Sequence, residues 1–315
     1  MGSHTVELLL ERGFQVRCLI RRTRQGNGWI QGLSVEIVRG SYYDVDSLRD
    51  AVKGVDYIFH IAGVTKAKKH RQFHDGNVLA TRNLLEAATG VKNLRKFCYV
   101  SSLTAAGPSL DGVPRDENAP GSPVTTYGVT KLEAETVCEL YANRVPIVVL
   151  RPPAVFGPRD RDILEIFRWV KRGIIPAFGT SKKRLSLIYG PELARGIVEA
   201  TLAEQTRGET YFISDPVPYQ FREIAQKAAR LLGRRGVTIT LPSFLLYSLA
   251  GISEFINTFN PDPPILSVEK VRDLVQPDWS CTPAKLERAI GFRTQVPIEE
   301  ALAKTLAWYQ EQGWL

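Results

Sequence analysis

The sequence predicts an α/β protein. A doubly wound parallel sheet occupies residues 1–165, and a smaller α/β domain occupies 166–315. Three observations carry this. Short apolar runs alternate with amphipathic helical stretches through the first 150 residues. Runs such as Phe97–Val100 are apolar throughout, as suits strands covered on both faces. Beyond Arg151-Pro-Pro153 a Pro/Gly-rich segment and then mainly helical patterns take over.

Taken in order, Thr5 to Arg12 reads as an amphipathic helix stopped at Gly13. Phe14 to Ile20 reads as a strand ending in Arg21 and Arg22, and Val35 to Val38 as a short strand. Asp46 to Val52 is a helix and Val55 to Ile61 a buried strand. Asn77 to Ala88 carries leucines and alanines at helical spacing, with Asn77 a candidate cap. Phe97 to Ser101 is a strand, Thr126 to Asn143 a long helix, and Val145 to Leu150 a strand. Later helices fall around 162–172, 191–203, 221–232 and 297–312, with strands at Leu185–Ile188 and Thr210–Ser214. Residues 186–214 are expected to return to the first domain, which makes the second discontinuous.

The chain has 315 residues, 44% hydrophobic and 23% charged, within the range of globular proteins. Its four cysteines, at 18, 98, 138 and 281, have no paired spacing. They read as buried, reduced thiols of a cytoplasmic protein, with no metal site. No apolar run reaches the roughly 18 residues of a membrane span, and no leader pattern is present. The net charge of +8 favours anionic ligands. The cations are scattered without interleaved aromatics, which argues against nucleic acid.

Ser102, Tyr127 and Lys131 carry the chemistry. Ser102 follows the strand Phe97–Ser101, and ligands of open parallel sheets bind at such carboxyl ends. A spacing of four puts Tyr127 and Lys131 on one helix face. A phenol ordinarily titrates near ~10, and a neighbouring ammonium lowers that value and makes a usable acid/base. Alone, the pair would be an ordinary exposed one; the neighbouring motifs decide. His60 reads as a packed strand residue. His70 and His74, near Lys66, Lys68, Lys69 and Arg71, read as a solvated loop.

Six motifs stand in order: Gly2-Ser-His4 opening a helix that ends in Glu-Arg-Gly13; Phe59-His-Ile-Ala-Gly63; Asn77 to Ala88; Tyr99-Val-Ser-Ser102; Tyr127-x-x-x-Lys131; and Leu150-Arg-Pro-Pro-Ala-Val-Phe-Gly-Pro158. With them the chain resembles the extended short-chain dehydrogenase/reductase superfamily, which includes the NAD-dependent epimerases and dehydratases. Tyr99–Pro108 and the tail from Val271 are similar to the 3β-hydroxysteroid dehydrogenase and dihydroflavonol reductase branch. The resemblance implies a Rossmann-type sheet and makes Ser102, Tyr127 and Lys131 the catalytic set. It also implies cofactor contacts at Gly2, Arg21, Arg22, Ser41, Ala62, Gly63, Asn77, Tyr127, Lys131, Pro152 and Ala154. Two departures follow. The family's first strand and two glycines of its GxxGxxG turn are missing before Gly2, and Met1 is the one methionine. A natural start about a dozen residues earlier is expected. Without that strand, 14–20 and 55–61 should stand apart, with Val16, Leu19, Ile58 and Ile61 lacking partners. Ser41 stands where the family often has an acid.

The implied function is an NAD(P)-dependent oxidoreductase or epimerase/dehydratase. Tyr127 exchanges the proton, Ser102 orients the substrate oxygen, and Lys131 bonds the ribose. With Arg21 and Arg22 and no acid at the second strand's end, NADP is preferred over NAD. A homodimer through 77–88 and 126–143 is implied. The apolar cluster from Phe244 to Ile256 points to an apolar small-molecule substrate. Lys182, Lys183 and Arg184 leave a nucleotide-sugar epimerase/dehydratase open, and a non-catalytic NAD(P)-binding regulator or scaffold is the rival from another class.

Overall fold

Helix α1 (Gly2–Glu11) turns into strand β1 (Arg17–Arg21) through Gly13, whose φ of 80° suits a residue without a Cβ. The computed structural model describes residues 1–22, 25–178, 183–260, 264 and 266–315. The first half continues with β2 (Glu36–Gly40), α2 (Val45–Val52), β3 (Tyr57–His60), α3 (His70–His74) and α4 (Ala80–Ala88). Next come β4 (Lys96–Val100), α5 (Leu103–Ala106), α6 (Thr126–Tyr141), β5 (Ile147–Arg151) and β6 (Ala154–Phe156). The second half has α7 (Asp162–Lys171), β7 (Ile174–Phe178), β8 (Arg184–Leu185), β9 (Leu187–Tyr189), α8 (Gly190–Leu202), β10 (Thr210–Phe212) and β11 (Tyr219–Gln220). It closes with α9 (Phe221–Leu231), β12 (Val237–Leu241), α10 (Ser243–Ile256), α11 (Val268–Leu274), β13 (Asp278–Trp279), α12 (Ala284–Ile290) and α13 (Ile298–Glu311).

The central sheet is parallel, in the order β10-β5-β4-β3. Every side chain of β4 and β5 is buried, as strands sandwiched between helix layers require. One core joins Phe97, Tyr99, Ile147 and Val149 to α2, α4 and α6. Another joins Cys98, Val100, Val148 and Leu150 to α8 and α12. Strand β10, from late in the chain, adds beside β5, and β9 pairs with β6. The fold is the doubly wound α/β arrangement that the alternating pattern predicts.

Among the described residues strands β1 and β2 pair only with each other, with Leu19 opposite Val38. Among the described residues no ladder joins β1 to β3, so these strands stand apart as expected. Three of the four apolar side chains expected to lack partners, however, have them. Ile58 belongs to the first core, Leu19 packs against it, and Ile61 packs against the second. Helices α2 and α4 supply the first of these contacts, which a strand-only argument overlooks.

The helix expected from Asn77 starts earlier, at His70. It passes through one wide turn, Asp75–Leu79, before α4. Asn77 therefore sits inside a π turn rather than at a cap. Such turns often mark sites where a side chain is re-aimed.

Candidate active site

The loops after β3, β4 and β5 meet the first turns of α6. Ser102 caps α5, accepting the Thr104 amide (3.2 Å) and the Thr104 hydroxyl (2.8 Å). Its own proton is thereby left to donate, and Ser102 acts on the nearby Tyr127 phenol by favouring its anion. Thr125 caps α6 by accepting the Gly128 amide, which fixes the turn that carries Tyr127. Gly128 lets that turn close on α5: a Cβ there would lie 2.4 Å from the Thr104 carbonyl oxygen.

Tyr127 keeps some exposed surface, but protein atoms crowd its phenol, and burial pushes its pKa up to about 12. Only the Ser102 hydrogen bond opposes this. The expected lowering by Lys131 is absent, because that ammonium faces elsewhere. It donates to the Val100 carbonyl (2.7 Å) and lies 4.2 Å from the Tyr99 ring. Burial brings Lys131 down to about 8, opposed by the Glu135 carboxylate one turn further along α6. Glu135 holds Arg151, at the end of β5, through two nitrogens at 2.5–3.2 Å, both residues being buried.

Asn77 ties three pieces together. Its Oδ1 accepts the Val64 amide (2.7 Å); its Nδ2 donates to the Val64 carbonyl (3.1 Å) and to Thr130 Oγ1 (3.0 Å). The loop after β3 is thus pinned to α6, with Gly63 beside both Asn77 and Lys131. Ala62, Gly63 and Ala154 are exposed, while Pro152 is buried and accepts the Leu103 amide (2.8 Å) through its carbonyl. His60 is buried, bonded to Thr81 (2.9 Å) and brought to about 3 by burial, as a packed strand residue would be. His70 lies on α3 rather than in the solvated loop expected for it, and its ring stacks on that of His74.

A nicotinamide dinucleotide fits these residues. Lys131 is a buried ammonium using one of three donors on a protein acceptor, which leaves two for ribose hydroxyls. Small residues at 62, 63 and 154 leave the strand ends open to a flat ring. The first turn of α1 presents helix amides, with nothing within 4 Å of where a Cβ on Gly2 would stand. Toward the adenine end, Arg21 is exposed at the end of β1, but Arg22 pairs with Asp44 (3.1 Å). An acid therefore does reach this end, from the loop after β2. The Ser41 hydroxyl accepts the Tyr43 amide and closes the turn before α2.

Glu135, Asp44 and Glu269 escape the sequence reading. Glu269, on α11, accepts the Thr126 amide (3.1 Å) and hydroxyl (2.6 Å) beside Tyr127. Glu135 could have been found from the spacing Tyr127, Lys131, Glu135; the other two carry no local signal. Of the cations weighed for sugar-nucleotide phosphates, Arg184 pairs with Asp278, and Lys183 donates to the Leu274 carbonyl (2.6 Å). Lys182 lies outside the described residues.

The profile of the NAD dependent epimerase/dehydratase family matches residues 1–214. The chain belongs to this family. Membership makes the protein an NAD(P)-dependent oxidoreductase or epimerase. A ceramide reductase of Caulobacter vibrioides is 27% identical over 317 residues, covering 100% of this chain and 93% of that protein. A 3beta-hydroxysteroid-dehydrogenase/decarboxylase of Arabidopsis thaliana is 23% identical over 336 residues, covering 97% of this chain and 59% of that protein. The UDP-glucuronic acid 4-epimerase of Bacillus cereus, solved in complex with NAD, shares the fold. Its TM-score is 0.77 at 20% identity, over 100% of this chain and 96% of that one.

Proposed function

We propose that this enzyme interconverts a carbonyl and an alcohol on an apolar substrate, with Tyr127 as the proton-transferring group. The carrying observation is the chain Thr104–Ser102–Tyr127 at the end of β4, with Lys131 one helical turn away. Ser102 holds the substrate oxygen and steadies the phenol as it gives or takes the proton. Lys131 holds the ribose with its unused donors, and Asn77 keeps the Ala62–Gly63 loop in place to seat the ring. The bound dinucleotide supplies or accepts the hydride.

An apolar substrate is supported by Phe73, buried with its ring 6.5 Å from Tyr127, and by the names of the ceramide and steroid relatives. It is supported too by the engagement of Lys183 and Arg184 within the protein. The shared fold of the UDP-sugar epimerase keeps nucleotide-sugar chemistry as the second reading. Arg21 and Arg22 favour NADP, with Asp44 acting against. We place this chemistry in a cytoplasmic enzyme with a division near residue 165 and residues 186–214 returning to the first part. Leu84, Leu85, Ala87 and Ala88 of α4 and Ala134, Val137 and Cys138 of α6 face the core. A homodimer would therefore use their outer faces, with Arg82, Glu86, Glu133 and Leu140.

Tyr127→Phe should lower turnover by about 10²–10⁴ while leaving dinucleotide affinity within about twofold. Lys131→Ala should lower both. Apolar ketones and UDP-sugars are assayed side by side. Wild-type turnover in Tyr127→Phe would end the mechanism, and turnover of UDP-sugars alone would end the substrate assignment. Measured turnover by the parent enzyme would rule out the non-catalytic scaffold.

A further inference from the structure

Helix α10 shows solvent a face that a water-soluble surface rarely carries. Phe244, Ile252, Phe255 and Ile256 are 72%, 56%, 81% and 73% exposed, and Leu245, Tyr247 and Leu249 are each more than a third exposed. Leu246 and Ala250 alone on this helix are buried, packing with Val271 of α11. Positions 245, 249, 252 and 256 recur at helical spacing, so the exposed groups form a continuous stripe. The cluster that the sequence links to an apolar substrate is thus exposed and not core. Its 14 residues carry one charge, Glu254, whose carboxylate accepts the Val268 amide (2.9 Å). Contiguous apolar surface of this kind marks an interaction site, whereas isolated exposed leucines do not.

A second element says what meets it. Lys68 donates to the Asn257 carbonyl (2.7 Å) and to that of Asn260, which clips the segment 66–71 onto the C-terminal end of α10. Lys66, Lys68, Lys69, His70 and Arg71 are all exposed. Lys66 pairs with Asp162 (2.5 Å) and Arg71 with Asp75 (3.4 Å), so the cluster retains a cationic excess. An exposed apolar helical stripe flanked by a cationic segment suits the interface of an anionic bilayer, the stripe entering the acyl boundary and the lysines meeting the headgroups. A second copy fits less well. A two-fold contact through the end of α10 would bring two such lysine clusters together.

We propose that α10 and the 66–71 segment dock this protein on an anionic lipid surface, with the helix lying along the interface. Both elements flank the site. Helix α11, on which α10 packs, holds Thr126 through Glu269, and the 66–71 segment leads into Phe73 beside Tyr127. Docking would open the site toward a lipid-borne substrate; the docking itself does not depend on the catalytic reading. Among the described residues no helix is long and apolar enough to cross a membrane, and an interfacial helix does not need to be.

Flotation of the full chain with vesicles tests this without any turnover. Phosphatidylcholine vesicles are compared with vesicles containing about 30% phosphatidylglycerol. The expected result is at least about tenfold more binding to the anionic vesicles, weakened by salt. Phe255→Glu and Ile256→Glu should each cut binding at least about tenfold, and Lys69→Ala about fivefold. Leu110→Glu, equally exposed but remote in sequence, should leave it unchanged, and thermal melts check that each variant is folded. No flotation, or flotation indifferent to the α10 variants, overturns the proposal. So does a light-scattering dimer that Phe255→Glu dissociates in the absence of vesicle binding, since that would assign the face to a second copy.

Discussion

Glu135→Gln is the substitution that most directly probes how the site is held. The carboxylate and the Arg151 guanidinium are buried, 4% and 8% exposed, and share three contacts between 2.5 and 3.2 Å. At ~3 Å and an effective dielectric near 20, their attraction is about 5 kcal/mol, set against the cost of taking both charges out of water. Removing one charge leaves the other uncompensated, which costs about 3–5 kcal/mol. Urea unfolding at neutral pH should show that loss. Arg151→Met in the same chain should restore most of it, because the stranded guanidinium is gone. The substitution should also act on Lys131, whose ammonium Glu135 favours. Its pKa should fall further below about 8, moving the pH midpoint of dinucleotide affinity downward. A loss under about 1 kcal/mol, with an unmoved midpoint, would refute both the dry environment of the pair and its coupling to Lys131.

Three further outcomes are expected. Parallel titrations should show tighter binding of NADP(H) than NAD(H), with Arg21→Ala narrowing the gap; tighter NAD(H) binding would hand this end of the site to Asp44 instead. Dinucleotide affinity should decline as pH rises through about 8, where folded Lys131 loses its proton. Stability should move the other way: between about 8 and the ordinary 10.5 the unfolded chain holds the extra proton, so raising pH favours the folded state. Lys131→Met should abolish both trends.

The parallel sheet was legible because β3, β4 and β5 are short apolar runs separated by helical periodicity, and two-sided burial leaves that trace. The partnership of Ser102 with Tyr127 was legible through motif order, which stands in for distance in a familiar fold. What escaped was set by long-range contacts. Nothing near Glu269 in sequence reveals that its carboxylate caps the turn at Thr126, 143 residues away. The π turn at Asn77 escaped because periodicity sees the helix but not one extra residue in a turn. The direction of Lys131 escaped for a related reason. Spacing of four places its stem beside Tyr127, whereas the Val100 carbonyl decides where the ammonium goes.

That last difference bears on what Tyr127 is prepared to do. A phenol at about 12 is protonated at neutral pH, and forming its anion there would take about 7 kcal/mol, at 1.36 kcal/mol per unit. On the proposed chemistry its resting form is the protonated one that carbonyl reduction uses, while the raised pKa makes it a weaker acid that depends on help as its anion forms. The Ser102 proton, freed by the two bonds from Thr104, then meets the phenolate as it forms. Lys131 neither bonds the phenol nor lowers its pKa in this arrangement, and burial brings its own ammonium down to about 8. A ribose hydroxyl that gathers its two unused donors would favour the ammonium again and raise positive potential beside the phenol. Cofactor binding and proton transfer would then be coupled through one buried lysine. On the proposed chemistry the resting protonation state of Tyr127 is the one that reduction requires, so the comparison of Tyr127→Phe with the parent enzyme is most informative in that direction.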